Sequence, residues 1–162
     1  MAQAVRQQLC DAAHGICHAT DARCCGQQRE LEAEMAVRIV RLGSKRVEGE
    51  GLRIGTVRRP PRGVPKERPA ADEWYDVWLP NLAPSVPVMQ LGLHAQTPAE
   101  LRAFKRKYRA EMNDPQVAHV LAALAALSSQ TDFSVGCYCE DEARCHRSVL
   151  RELLAERGAQ AL

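Results

Sequence analysis

The fold is decided by one stretch of the chain, residues 132–157, which reads DFSVGCYCEDEARCHRSVLRELLAER. Phe133, Val135 and Cys137 alternate with Ser134 and Gly136, and a period of two predicts a β-strand. An apolar stripe then recurs at helical spacing, at Val149, Leu150, Leu153 and Leu154. The stretch therefore predicts a strand that leads through a short acidic turn into a helix.

The joint between this strand and this helix is the candidate functional site. It contains Cys139, Arg144, Cys145, His146 and Arg147. A helix that begins just after a strand directs unpaired N–H groups and a partial positive charge beyond the carboxyl end of that strand. Ligands of open α/β sheets usually bind at that edge. We therefore expect an anionic ligand to bind at the joint.

Length and composition favour a protein of the cytoplasm with one main domain. The chain has 162 residues and a formal net charge of +2, which excludes no class of ligand. It contains no apolar run of the roughly 18 residues that a membrane span needs. The N-terminus does not resemble a secretory signal. The seven cysteines are therefore expected to be thiols or metal ligands rather than a disulfide framework.

Residues 1–34 differ in composition from the rest of the chain. They contain four of the seven cysteines and show no strong apolar periodicity. We expect them to form an irregular N-terminal extension that precedes an α/β domain at residues 35–162. Two interpretations stay open: a disordered extension, or an upstream segment that is not translated, with Met35 as the true start.

The middle of the chain supplies the other elements of the fold. Residues 36–47 and 52–58 are rich in β-formers and predict two further strands. Thr97 to Glu100 forms a capping box with proline at the first helical position, and Asp114 followed by Pro115 predicts a second helix start. These elements predict a small central sheet flanked by helices, a Rossmann-like three-layer fold.

The segment between these strands and helices has no clear periodicity. Trp74 and Trp78 are four residues apart, which predicts a short helix that turns both toward the core. Trp74 is a candidate for stacking on a ligand, although core packing is the interpretation that we favour. His94 is assigned to a linker.

The most basic part of the chain is the loop at residues 53–68. Arg58 ends a predicted strand, and Arg62 follows it among four prolines. Guanidinium groups bind phosphate and carboxylate in a bidentate manner, so the loop is a candidate anion clamp. A solvated, charged loop is the alternative interpretation. A third is a nucleic-acid-binding module formed by this loop and the basic helix at residues 102–109.

The cysteines of the joint allow two chemistries. Cys137, Cys139, Cys145 and His146 supply three thiols and one imidazole for a metal or redox site, although their spacing is not that of a zinc knuckle. A thiol beside arginine at a helix N-terminus also becomes a reactive thiolate.

We favour an enzyme over a metal site or a nucleic-acid-binding module. In this hypothesis His146 is a general acid or base, and Cys139 or Cys145 is a nucleophile. Arg58, Arg62 and Arg147 bind an anionic ligand that is phosphorylated or resembles a nucleotide. The sequence does not indicate a substrate, a cofactor or an oligomeric state.

A set of residues spread from residue 35 to residue 158 is typical of one family: Lys45-Arg46, Arg58, Pro61-Arg62-Gly63, Asp72-Glu73-Trp74, Pro84-Ser85, Phe104, Tyr108, Glu111 and Cys145-His146-Arg147. On these residues the sequence resembles the domain-of-unknown-function family 488 (DUF488), including its YeaO-like branch. The resemblance implies a small bacterial cytoplasmic α/β domain with a compact sheet between helices, and it implies no settled activity. Members of the YeaO-like branch tend to read Asp-Arg-Leu-Trp before Pro-Arg-Gly, whereas this chain has Val57 to Pro60 there.

Overall fold

Four parallel strands form the central sheet, in the order β1-β4-β2-β3. The structure is a computed structural model that describes residues 36–60 and 74–162. The strands are β1 (Val37–Arg41), β2 (Leu52–Gly55), β3 (Val77–Trp78) and β4 (Phe133–Cys137). Strand β4 lies between β1 and β2, and all five of its residues are buried. A strand covered on both faces is typical of a parallel sheet.

Four helices follow the first three strands or close the chain. They are α1 (Val86–His94), α2 (Pro98–Glu111), α3 (Pro115–Leu127) and α4 (His146–Ala155). A short 3-10 helix (Pro80–Leu82) precedes α1. Side chains at the starts of the first three helices satisfy backbone N–H groups that have no partner within the helix.

Buried side chains form two clusters. The larger one joins residues of the sheet, such as Val135, to residues of α2, α3 and α4, such as Tyr108, Leu121 and Leu150. The smaller one lies where β1, β2 and β4 end, and it contains Leu42, Val57, Tyr75, Cys137 and Cys145. Residues of the predicted functional joint, Cys137 and Cys145, therefore lie among packed side chains at the carboxyl edge of the sheet.

The predicted fold class is confirmed, because helices flank a small parallel sheet in a three-layer α/β arrangement. The capping box at Thr97 and the helix start at Pro115 are also confirmed. The expected extension, residues 1–34, lies outside the described residues.

Two local predictions are wrong. Trp78 belongs to β3 and not to a short helix, because residues 77–78 pair with residues 54–55 of β2. His94 is the last residue of α1 and not part of a linker.

Arg53 is part of the sheet and not of a basic loop. Its side chain is fully buried in β2, and its Nη2 donates a 2.7 Å hydrogen bond to Glu50. The same carboxylate accepts a hydrogen bond from Ser134 on β4. Burial raises the pKa of Glu50, but the hydrogen bonds from Arg53 and Ser134 outweigh it and lower that pKa. Arg53 therefore cannot contribute to an anion clamp or to a nucleic-acid surface.

Candidate functional site

A cavity of about 930 Å³ lies beyond the carboxyl ends of β1, β2 and β4. Its walls come from the residues that follow these strands and from one side of α1, and its floor contains the start of α4. The position agrees with the general rule for ligands in open α/β sheets. Most of the lining is apolar, with arginines, aromatic rings and thiols among it. This composition is typical of a pocket for a small molecule.

Three free thiols lie together in the lining of the cavity. The Sγ atoms of Cys137, Cys139 and Cys145 are all within 4.8 Å of one another. The Sγ atoms of Cys137 and Cys139 are 3.7 Å apart, at hydrogen-bonding distance for sulfur. Cys137 and Cys145 are buried, whereas Cys139 is exposed. Cys139 is thus the thiol of this group that a ligand can reach most easily.

The three thiols differ in acidity. Hydrogen bonds from Cys137 and Cys145, together with the charge of Arg147, lower the pKa of Cys139 well below its usual value. The hydrogen bond that Cys137 donates to Cys139 raises the pKa of Cys137, because it favours the protonated form of the donor. Cys139 is therefore the first of the three to become a thiolate.

Arg147 carries a charge that has been removed from solvent. The residue is only 3% exposed, and its Nη2 donates a 2.7 Å hydrogen bond to the carbonyl oxygen of Cys139. Its Nε has no hydrogen-bond partner, and within the described residues no carboxylate forms a salt bridge with it. A buried cation is costly unless an anion compensates it. The neighbouring Cys139 thiolate is the group that can do so.

His146 lies in the first turn of α4 with its ring held from both sides. Nε2 is 3.0 Å from the carbonyl oxygen of Thr56, which can only accept, so Nε2 carries a hydrogen. Nδ1 is 3.6 Å from Sγ of Cys145 and is free to accept a proton from that thiol. The ring also packs edge-on against Tyr108, at a centroid distance of 5.2 Å. Cys145 and His146 therefore form a thiol–imidazole pair, and the Cys145 sulfur is within 4.8 Å of that of Cys139.

Thr56 and Tyr108 fix this imidazole, and sequence reasoning assigned neither of them to the site. Thr56 is buried just after β2, and its hydroxyl donates to the carbonyl oxygen of Gly136. The hydroxyl of Tyr108 donates to the carbonyl oxygen of Leu82, and this hydrogen bond fixes the orientation of the Tyr108 ring. From the sequence, Tyr108 is singled out only among the residues that carry the family resemblance. No local signal links either residue to His146, because both contacts are made across the fold.

The predicted anion-binding arginines have different surroundings. Arg58 lines the cavity, and its guanidinium donates to the carbonyl oxygens of Ala83 and Pro84 just before α1. Arg59, which sequence analysis did not single out, also lines the cavity and is exposed. Arg62 lies outside the described residues.

Trp74 lies in the cavity wall rather than in the main core. Its ring packs edge-on against Tyr138 at 5.6 Å. Gly43 makes room for it, since a Cβ at residue 43 would be 2.7 Å from the indole ring. Gly43 also has a φ of 82°, a conformation that favours glycine. The indole of Trp74 therefore lines the same cavity as the three thiols.

The basic helix offers fewer free charges than its sequence suggests. Arg109 forms salt bridges with Glu152 of α4 and with Glu156, the residue that follows the end of that helix. Together with the buried Arg53, this removes two arginines from the surface that the nucleic-acid alternative requires.

The fold and the cavity define a small α/β protein with a ligand-sized pocket at the carboxyl edge of its sheet. A family model described as "DUF488-N3a: Active DUF488-N3 subclade" matches residues 37–158. The chain belongs to the DUF488 family, as its resemblance implied. No curated protein and no solved structure matches it. Among the described residues, no helix has both the length and the apolar character needed to cross a membrane.

Proposed function

We propose that the protein is an enzyme that binds an anionic, ring-containing small molecule and attacks it with the thiolate of Cys139. The observation that carries this proposal is an exposed cysteine on the wall of a large cavity. A buried arginine, Arg147, supports it, since no carboxylate among the described residues forms a salt bridge with that side chain. Cysteine thiolates act as nucleophiles when a nearby cation favours them over the thiol.

The cavity can accept both parts of such a ligand. Its apolar lining and the indole of Trp74 suit a flat ring such as a nucleobase. Arg58 and Arg59 at the end of β2 suit a phosphate or carboxylate group. Arg58 is already oriented by the loop before α1, so it loses little conformational freedom when it binds. Arg62, outside the described residues, belongs to the same proposed clamp.

In the proposed reaction, Sγ of Cys139 forms a bond to the electrophilic atom of the ligand, and the leaving group departs with the electron pair of the broken bond. Water then attacks the intermediate, which releases the product and restores the thiolate. The pair of Cys145 and His146 donates a proton to the leaving group. It then takes a proton back from the attacking water. Arg147 is a positioning residue, since it contacts the Cys139 backbone and not the cavity.

This chemistry requires a reduced cysteine. Free thiols persist in reducing compartments, so the proposal places the protein in the cytoplasm.

A thermal-shift screen over nucleotides and sugar phosphates tests the binding step. At 100 times its Kd, a ligand stabilises the native state by about 2.7 kcal/mol, which raises the Tm of a domain of this size by roughly 5–10 °C. We expect Arg58→Ala and Arg59→Ala to reduce this shift. Arg102→Ala is the matched control, because Arg102 does not line the cavity.

Two results would contradict the proposal. One is a shift that survives both substitutions in the clamp. The other is salt-sensitive binding of nucleic acid with no response to any small anion, which would favour the nucleic-acid-binding alternative.

A further inference from the structure

We propose that Cys137, Cys139 and Cys145 bind one Zn²⁺ ion, and that the bound metal blocks the Cys139 nucleophile. The inference concerns regulation of the site proposed above. Its consequence for catalysis rests on that function, whereas metal binding itself rests only on the positions of the three sulfur atoms.

The sulfur positions match a tetrahedral thiolate site. Zinc–sulfur bonds are about 2.3 Å long, so two thiolates of a tetrahedral site stand about 3.8 Å apart. The Sγ atoms of Cys137 and Cys139 are 3.7 Å apart, and Cys145 is within 4.8 Å of both. A movement of one side chain by less than 1.5 Å, roughly, would complete a regular arrangement of three thiolates around the metal.

The backbone around the three cysteines supports such a site. Cys137 ends the central strand β4, and Cys145 is the residue that caps α4, so two of the three ligands lie on rigid elements. Cys139 lies in the turn between them, and Arg147 holds its carbonyl oxygen. Ligands that are already oriented in this way need little reorganisation to bind a metal.

His146 does not supply the fourth ligand. Its Nε2 is engaged by Thr56, and its Nδ1 faces Cys145. All three cysteines line the cavity, so the fourth position opens toward it and can be taken by water. Three protein ligands and one open position are typical of a zinc site that exchanges its fourth ligand.

The metal and the covalent reaction compete for the same sulfur. A thiolate that donates its electron pair to zinc is not available to attack a ligand. Binding of zinc is therefore expected to stop the reaction of Cys139 with electrophiles, and removal of zinc by a chelator is expected to restore it.

Cobalt titration of the full chain tests the metal site directly. We expect one equivalent of Co²⁺ to produce sulfur-to-cobalt charge-transfer absorption, and Zn²⁺ to displace it. Cys139→Ser should weaken zinc binding by more than the roughly 100-fold that the loss of an outer-shell contact costs. Cys139 is exposed, so we expect this variant to fold, and circular dichroism checks that it does.

The chain contains its own control, because its other four cysteines all lie in residues 1–34. The variant in which Cys10, Cys17, Cys24 and Cys25 are replaced by serine should keep the cobalt absorption. Loss of the absorption in this variant, or full retention in Cys139→Ser, would overturn the proposal. So would the absence of any thiolate absorption in the reduced wild-type chain.

Mass spectrometry of the alkylated wild type provides a second test that needs no variant. Zinc should protect Cys137, Cys139 and Cys145 from iodoacetamide and leave the N-terminal four unprotected. Equal protection of all seven, or of none, would contradict the site. If Cys139 reacts rapidly but zinc does not protect it, only the metal inference fails. If zinc binds but metal-free Cys139 is unreactive, only the proposed enzyme fails.

Discussion

Two buried arginines, near opposite edges of the sheet, differ in how their charge is compensated. Arg53, near the start of β2, faces the carboxylate of Glu50, and Ser134 completes the group. Arg147, beyond the end of β4, donates to carbonyl oxygens, and within residues 36–60 and 74–162 its Nε has no hydrogen-bond partner. The first arrangement is a closed ion pair, which stabilises the fold. The second leaves a positive charge available to the anion that forms when Cys139 loses its proton, which supports the role in the reaction that we propose for this part of the molecule.

The largest expected effect is on the closed ion pair. Glu50→Ala leaves the charge of Arg53 buried without its carboxylate, so it should lower the free energy of unfolding by about 3–5 kcal/mol. Urea denaturation measures this loss. The control is Glu48→Ala, an exposed carboxylate in the same turn, which should change stability by less than about 0.5 kcal/mol. Equal effects of the two substitutions would mean that the ion pair does not matter to the fold.

A second prediction compares the cost in stability of an alanine at two glycines, Gly43 and Gly49. Gly43 and Gly49 both have positive φ, but only at Gly43 would an added Cβ contact a side chain, that of Trp74. Each alanine substitution should cost about 1–2 kcal/mol in backbone strain. Gly43→Ala should cost about 1–3 kcal/mol more, through overpacking. Denaturant unfolding of the pair measures the difference, and equal losses would show that Trp74 is not held against Gly43.

A third prediction tests the effect of the charge of Arg147 on Cys139. Arg147→Met should raise the pKa of Cys139, because it removes a charge that favours the thiolate. In acid, at pH values below that pKa, alkylation of Cys139 should be slower by about tenfold for each unit of pKa change, which rates measured over a series of pH values test. The cost of Arg147→Met in stability should be smaller than that of Glu50→Ala, since no carboxylate in the part of the chain that the structure describes forms a salt bridge with Arg147. Arg144→Met is the control: Arg144 donates to the carbonyl oxygen of Ala95 and should not affect the rate. The two arginines would be equivalent if both substitutions slowed the reaction alike.

The smallest expected effect concerns pH. A hydrogen bond from Arg46 lowers the pKa of Asp76 in the folded state. Asp76 therefore contributes stability above its unfolded pKa, and this contribution is lost as pH falls through the lower, folded pKa. Asp76→Asn should be less stable than wild type at pH 7, and the two should converge in acid. Unfolding measured at several pH values tests this, and a constant difference would contradict it.

Local patterns predicted much of the fold. The alternation from Phe133 to Cys137 and the capping box at Thr97 each depend on a few neighbouring residues, and both were correct. Helix α1 was missed because its residues are apolar on most sides and it contains Gly92. Its packing reveals the reason for that glycine: a Cβ there would be 2.9 Å from the ring of Phe104. That contact is made with another helix and leaves no periodic signal.

The candidate site was predicted less completely than the fold. The sequence indicated Cys139, Cys145 and His146 because they lie at a strand-to-helix joint. It could not show that Thr56, 90 residues before His146, orients the imidazole. It also counted Arg53 among free cations, although the salt bridge with Glu50 is only three residues away. Burial and long-range contacts decide these roles, and neither is visible in a local pattern.

The most direct test of the central claim is competitive alkylation of the reduced, metal-free chain at neutral pH, with all seven cysteines resolved by mass spectrometry. If the buried charge of Arg147 stabilises the Cys139 thiolate, Cys139 reacts first. It reacts ahead of the buried Cys137 and Cys145 and ahead of the four N-terminal cysteines. If Cys139 reacts no faster than those four, the arginine does not activate it, and the proposed nucleophile is wrong.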